Sequence, residues 1–355
     1  MQFEPKSEDV LPETVTFEEA QAILESRKQS IRRKSLWAVG IGAVLIIVSV
    51  SAVIFVDLFL RPDLAGTIDP DTGIFELLFQ NILFLIGILT LVGGFVGLWH
   101  SKRLTLSDYV ASPEAITFLS EIQYHRPTYT YIFVGGIVAV FIAQTVSDAS
   151  LASAGVKITS IKLAGLVKDE VWNNQWWRLM TAGMLHGGIL HIYFNSQAFL
   201  GLGKMMEALS EKAHVAIVFM LSVLGGSILS TLLLPKGISV GASGGIMGLL
   251  GYLSVYGYRR RQHLPPDFLR NILVNVIFIG ALGIVLWNIV DNYGHLGGLL
   301  VGAIYALFQI PKDPNKDPRE IGPIVDGLGL LSVGIFIVTC VLLILLFSGQ
   351  IEFVS

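Results

Sequence analysis

Gly241-Ala242-Ser243-Gly244-Gly245-Ile246-Met247-Gly248-Leu249-Leu250-Gly251 opens an apolar run that continues to Tyr258 and stops at Arg259-Arg260-Arg261. Five glycines in eleven residues are unfavourable for a helix, so this composition predicts close approach of another backbone, a tight turn, or both. A serine held between glycines at the mouth of a hydrophobic helix needs a partner to be chemically useful. The matching stretch lies downstream, Tyr293-Gly294-His295-Leu296-Gly297-Gly298-Leu299-Leu300-Val301-Gly302. Its glycines at 294, 298 and 302 recur every four residues, and Gly298 and Gly302 share a helix face with His295. Small-residue faces allow two helices to close until a serine and a histidine meet.

The 355 residues are 53% hydrophobic and only 14% charged, with a mean hydropathy of +0.68. That departs from soluble domains in both directions. Apolar runs long enough to cross about 30 Å of hydrocarbon recur along the chain, which makes it an all-α polytopic membrane protein. A net charge of −3 gives no basis for a nucleic-acid partner. The single cysteine, Cys340, lies in the last apolar run and reads as a small buried hydrophobe; one cysteine supports neither a disulfide framework nor a thiolate metal site. No cofactor is expected.

Residues 1–35 are polar, with Thr16-Phe17-Glu18-Glu19 reading as a capping box that opens a short helix. They lack an early apolar core, so the first span is expected to direct membrane insertion. Spans are expected at about 37–60, 76–99, 128–146, 181–202, 213–234, 241–258, 269–287, 293–310 and 327–348. With the N-terminus inside, eighteen lysines and arginines fall in the inner segments and six in the outer ones, the asymmetry of the positive-inside rule. This orientation sets Ser243 and His295 near the outer face. Asp69-Pro70-Asp71-Thr72-Gly73 lacks the further ligands of a calcium loop and reads as a turn. Residues 147–178 exceed what a hairpin needs and carry Trp172, Trp176 and Trp177, suited to a segment resting at the membrane interface.

The other polar groups at this depth come from Met184-Leu185-His186-Gly187-Gly188-Ile189-Leu190-His191-Ile192-Tyr193-Phe194-Asn195. On a continuous helix His191 and Asn195 share a face, and His186 lies roughly 140° from His191. Each alone is most simply interhelical hydrogen-bond glue. Three in ten residues, level with Ser243 and His295, point to a site, because polar side chains inside hydrocarbon are costly. A serine hydroxyl needs an adjacent base, and His295 is the candidate. The unpaired N–H groups at the start of the Ser243 helix suit an oxyanion, with His191 and Asn195 as added donors. No acid is placed to complete a triad, and Asp291, one turn outside His295, reads as a loop residue.

This set resembles the rhomboid intramembrane serine proteases. The resemblance rests on Trp177-Arg178, His186, His191, Asn195, Gly241-x-Ser243-Gly244, Gly203-x-x-x-Glu207 and His295-x-x-Gly298-x-x-x-Gly302. It covers about residues 128–310. It implies a six-helix core with two extra transmembrane helices before it and one after it. The corresponding divisions are a cytosolic segment 1–35, two helices in 36–100, a cytosolic linker 101–127, the protease core 128–310, and a linker with a final helix in 311–355. It implies catalysis by Ser243 and His295, an oxyanion site of His191, Asn195 and the Ser243 N–H, and a supporting polar role for His186. Gly241, Gly244 and Gly298 belong to the motifs, and Arg178 and Glu207 are implied to be structural. The chain departs from the family at Met247, where tyrosine often packs against the catalytic histidine; a thioether can also pack under an imidazole.

Transmembrane protein substrates cleaved near the outer face, reached beside the 269–287 helix, are implied partners along with membrane lipid. A non-proteolytic rhomboid-like protein that binds membrane clients is the alternative, disfavoured because inactive relatives usually lack the serine or the histidine. A transporter would be expected to show a pair of broken helices in corresponding halves, which this sequence lacks. The bacterial inner membrane, with the N-terminus cytoplasmic, is the expected location.

Overall fold

A computed structural model describes residues 17–56, 81–104, 122, 124–155, 159–234, 236–265, 267–313, 316–320 and 322–351. The expected turn at Asp69–Gly73, Thr16 of the capping box and the expected boundary near residue 76 lie outside the described residues. The chain forms two compact units that divide after Ala111.

In the first unit, α1 (Phe17–Phe55) and α2 (Ile82–Arg103) pack side by side. The short helix expected at Phe17 is instead the start of α1, which runs unbroken for 39 residues into the first span. At 1.5 Å per residue this is about 58 Å, twice the hydrocarbon thickness, so its basic first half stands outside the apolar layer. The α1–α2 contact is backbone against backbone: a Cβ on Gly42 would lie 2.6 Å from the Leu91 nitrogen.

The second unit contains α3 (Thr128–Ser153), α4 (Ser160–Ala164), α5 (Lys168–Trp172), α6 (Arg178–Thr181), α7 (Ile189–Leu209) and α8 (Lys212–Leu233). It continues with α9 (Ser243–Arg259), α10 (Phe268–Val285), α11 (Asn292–Gln309) and α12 (Pro323–Phe347). Strands β1 (Leu166–Val167) and β2 (Ile238–Ser239) pair antiparallel, Leu166 opposite Ser239. The chain is thus all-α and polytopic, as expected from the sequence, and among the described residues nine long helices follow the order of the nine apolar stretches.

Among the described residues five helices, α1, α3, α8, α10 and α12, are by length and composition apolar enough to cross a membrane. Among the other long helices, α7, α9 and α11 carry the polar and glycine residues of the motifs. Those residues lower their apolar content, and α9 is also short, at 17 residues.

Helix α8 is the axis of the unit. It contacts α3, α7, α9, α11 and α12, and two-thirds of its apolar window is buried. Helix α11 wedges between α8 and α9 where only glycine fits. A Cβ on Gly298 would stand 1.9 Å from the Gly244 carbonyl oxygen, and one on Gly302 would stand 1.9 Å from that of Gly248. Helix α12 packs on α3 and α8, with Phe336 against Phe133 at 4.2 Å between ring centroids. Helix α10 is the least embedded long helix of this unit, with only Phe268, Ile272 and Gly283 buried, and leans mainly on α9.

One boundary differs in a way that matters for the site. The fourth long helix begins at Ile189, eight residues later than the expected 181. The chain before it makes a short 3₁₀ turn at Ala182–Met184 and then an irregular passage through Gly187-Gly188. His186 therefore lies on no helix, and the 140° offset from His191 does not apply. Gln144 on α3 stabilises the irregular passage by bonding both ways with the His186 backbone, donating to its carbonyl at 2.7 Å and accepting from its N–H at 3.2 Å.

Candidate active site

Ser243 is the first residue of α9, and the first N–H groups of a helix have no intrahelical partner. His295 lies one turn inside α11. Because the glycine faces bring the two helices into backbone contact, His295 Nε2 reaches Ser243 Oγ at 2.8 Å. This is the distance of a nucleophile–base hydrogen bond.

The segment leading to Ser243 is held from two sides. The β1–β2 pair joins it to the first loop, and the Gly241 N–H donates to the Ala182 carbonyl at 2.9 Å. Gly241 has φ of 130°, and a Cβ there would lie 2.8 Å from His191 Nε2 and 3.5 Å from Asn195 Nδ2. Glycine is thus required twice over, for the backbone conformation and for the approach of the two α7 side chains. His191 and Asn195, one turn apart on α7, consequently sit against the strand entering the Ser243 helix. Asn195 Nδ2 is buried without a hydrogen-bond partner among the described residues. His186 is fully buried behind His191, their rings edge to face at 5.0 Å between centroids. Gly244 provides the carbonyl against which Gly298 closes. Met247 follows Ser243 by one helical turn and is buried in the core.

Arg178 and Glu207 lie away from the Ser243–His295 pair. The Arg178 guanidinium donates to Gln175 Oε1 at 2.6 Å and to the Gly165 carbonyl at 2.8 Å, and it lies 4.6 Å over the Trp177 ring. These contacts pin the first loop. Within that loop Trp172 and Trp176 are half exposed. The Glu207 carboxylate accepts from the N–H groups of Thr128 and Thr130, at 2.9 and 2.6 Å, and from the Thr130 hydroxyl at 2.7 Å. It therefore satisfies the unpaired amides at the start of α3 from a neighbouring helix.

Asp291 is not the simple loop residue that its position suggests. It is the N-cap of α11: its carboxylate accepts from the Gly294 N–H at 2.8 Å and from the Ser230 hydroxyl of α8. The Lys168 ammonium stands 3.8 Å from it, on a side chain with no solvent exposure. Burial pushes the Lys168 pKa down and Asp291 opposes that shift. For Asp291, burial would raise the pKa, but hydrogen bonds from Ser230, Ser239 and Gly294, together with Lys168, hold it below the ordinary value. The sequence offers no local pattern that links residue 168 to residue 291; the β1–β2 pairing and the packing of α11 on α8 bring them together.

The fold and site define a polytopic helical membrane protein with a serine and a histidine hydrogen-bonded between two glycine-faced helices. Comparison with known proteins places this site within a recognised domain. Residues 173–312 match the Rhomboid domain. RHOMBOID-like protein 6, mitochondrial, of Arabidopsis thaliana is 38% identical over 141 residues, which cover 38% of this chain and 44% of the relative. Rhomboid protease GluP of Bacillus subtilis is 32% identical over 185 residues, covering 51% of this chain and 34% of GluP. Rhomboid-like protease 3 of Toxoplasma gondii is 28% identical over 201 residues, covering 55% of this chain and 75% of that protein. The chain spans less than half the length of the first two. Residues 173–312 thus carry a Rhomboid domain, and the chain is an integral membrane protein.

Proposed function

We propose that the protein is an intramembrane serine endopeptidase that cleaves transmembrane-helix substrates near the outer membrane face. The observation that carries this reading is the 2.8 Å contact between His295 Nε2 and Ser243 Oγ at the start of α9. In the proposed reaction Ser243 Oγ attacks the scissile carbonyl carbon and His295 Nε2 takes the hydroxyl proton. The oxyanion forms against the Ser243 N–H, His191 and Asn195. Collapse of the tetrahedral intermediate breaks the C–N bond, and His295 returns the proton to the leaving amine. Water, deprotonated by His295, then releases the acyl group.

Residues 128–310 form the catalytic core in this reading, with residues 1–127 and 311–355 as additions. A helical backbone hides its carbonyls, so the substrate must unwind locally. Helix-breaking residues near the cut favour this. Access beside α10 is supported by how little of that helix is buried. The Lys/Arg asymmetry supports a cytoplasmic N-terminus. The matched relatives include a bacterial protein and one named as mitochondrial, so likeness assigns no particular membrane.

The test is cleavage of a single-span substrate by the purified full chain in liposomes, with Ser243→Ala and His295→Ala as controls. Cutting by wild type and silence of both folded variants is the expected result. Cutting by Ser243→Ala overturns the assignment. A folded wild type that cuts no substrate and leaves Ser243 unlabelled by a fluorophosphonate favours the client-binding alternative.

A further inference from the structure

Lys168, fully buried, and Asp291, half-buried, form a charged pair beside the Ser243–His295 contact, and the catalytic steps above use neither. Burying an ammonium costs several kcal/mol unless it is compensated, yet the Lys168 Nζ has no hydrogen-bond partner among the described residues and only Asp291 within ion-pair distance. Asp291 in turn is tied to His295 through the fold. It caps the helix that carries His295, and its carbonyl accepts the His295 N–H at 3.0 Å. Asp291 and His295 line one cavity of about 40 Å³ together with Ser243, Ser239 and Ser227, room for a few water molecules.

The charged surroundings of His295 are otherwise sparse. From α7 it faces His191, with His186 behind. The α8 surface near it offers serine hydroxyls, with the titratable groups of that helix, Lys212 and His214, at the opposite end. Ser243 is the polar group from α9, and the only titratable group of α10, Arg270, is at its far end. The unit charges beside the imidazole are therefore Asp291 and, beyond it, Lys168.

We propose that Lys168 and Asp291 are a positioning pair that seats His295 and sets its basicity, the carboxylate favouring the imidazolium and the ammonium limiting that effect. Asp291 occupies the electrostatic role of a triad acid without touching the imidazole. Lys168 fastens the first loop to the catalytic helix through the same contact. The inference rests on the proposed serine protease reading.

The experiment is the pH dependence of Ser243 phosphonylation by a fluorophosphonate, in which Ser243 Oγ bonds to phosphorus, fluoride leaves and His295 accepts the proton. It uses the full chain in liposomes, with cleavage of a single-span substrate measured in parallel. The acid limb of the rate reports the protonation of the base in the free enzyme. Side chains one helical turn apart are separated by about 6 Å; with an effective dielectric of about 20, a unit charge there moves a pKa by about two units, less with water in the cavity.

Asp291→Asn keeps the cap and removes the negative charge, so the acid-limb midpoint should fall by about one pH unit. Lys168→Met leaves the carboxylate uncompensated, so the midpoint should rise. The double variant should return towards wild type, and Lys168→Arg should keep the wild-type midpoint. If a single variant does not fold, the double variant, which buries no charge at the site, decides by its midpoint and rate. Unmoved midpoints in folded variants, shifts of both single variants in one direction, or a folded double variant inert at every pH would overturn the proposal. Wild type that neither labels nor cuts would instead overturn the protease reading.

Discussion

Gly298→Ala tests the contact on which the whole site depends. The added Cβ would stand 1.9 Å from the Gly244 carbonyl oxygen, whereas ordinary contact begins at 3.4 Å. Both atoms are rigidly attached to helix backbone, so neither side can give by turning a rotamer. Helices α9 and α11 must part by about 1.5 Å at this level. Ser243 directly precedes Gly244 and His295 lies one turn before Gly298, so their 2.8 Å contact should lengthen to about 4 Å. That exceeds a hydrogen bond.

Loss of the aligned base costs about 10²–10⁴ in rate. Stability should change far less, since overpacking costs about 1–3 kcal/mol and replacing a helical glycine by alanine returns about 1 kcal/mol. The assay is single-span substrate cleavage and fluorophosphonate labelling of Ser243 in liposomes, with thermal melting as the folding control. Gly135→Ala is the comparison, because a Cβ there meets nothing within 4 Å; it should leave activity near wild type. A folded Gly298→Ala protein that labels Ser243 within twofold of wild type would refute the argument that backbone contact seats the pair.

Further expectations concern stability more than chemistry. Glu207→Gln leaves at least one of three donors of α3 poorly satisfied and should lower stability by about 1–3 kcal/mol, read as a lower Tm, with little change in the rate of the folded fraction. Phe336→Ala opens a cavity between α12 and α3 and should cost about 3–5 kcal/mol; a Tm unchanged from wild type would mean that the last helix is not part of the cooperative unit. Because the folded Asp291 carboxyl binds its proton less readily than in the unfolded chain, its contribution is present above about pH 4 and lost as pH falls through its lower folded value. Thermal melts of Asp291→Asn should therefore be flatter than wild type on acidification below about pH 4.

Much of this was legible in the residues themselves. Nine long apolar stretches dictate a helical bundle, because hydrocarbon leaves the backbone no other way to satisfy its own hydrogen bonds. The glycine spacing at 298 and 302 announced a backbone-to-backbone contact, and the contact is with Gly244 and Gly248. Periodicity served less well where a helix starts. Polar and glycine-rich residues before Ile189 look like more of the same span, but Gln144, 42 residues away, makes the irregular path around His186 favourable.

The sequence by itself determined the class of protein and which side chains are available for chemistry, since both follow from composition and local spacing. What tertiary structure alone decided was which of them meet. Glycine spacing allows Ser243 and His295, 52 positions apart, to approach but fixes no distance; the 2.8 Å contact exists because α11 is wedged between α8 and α9. In the same way Lys168 and Asp291, ordinary loop residues by sequence, become an ion pair with a buried lysine only in the packed molecule, where two short strands join the first loop to the segment before Ser243. Charge burial is a property of the packed molecule, and no local pattern of residues encodes it.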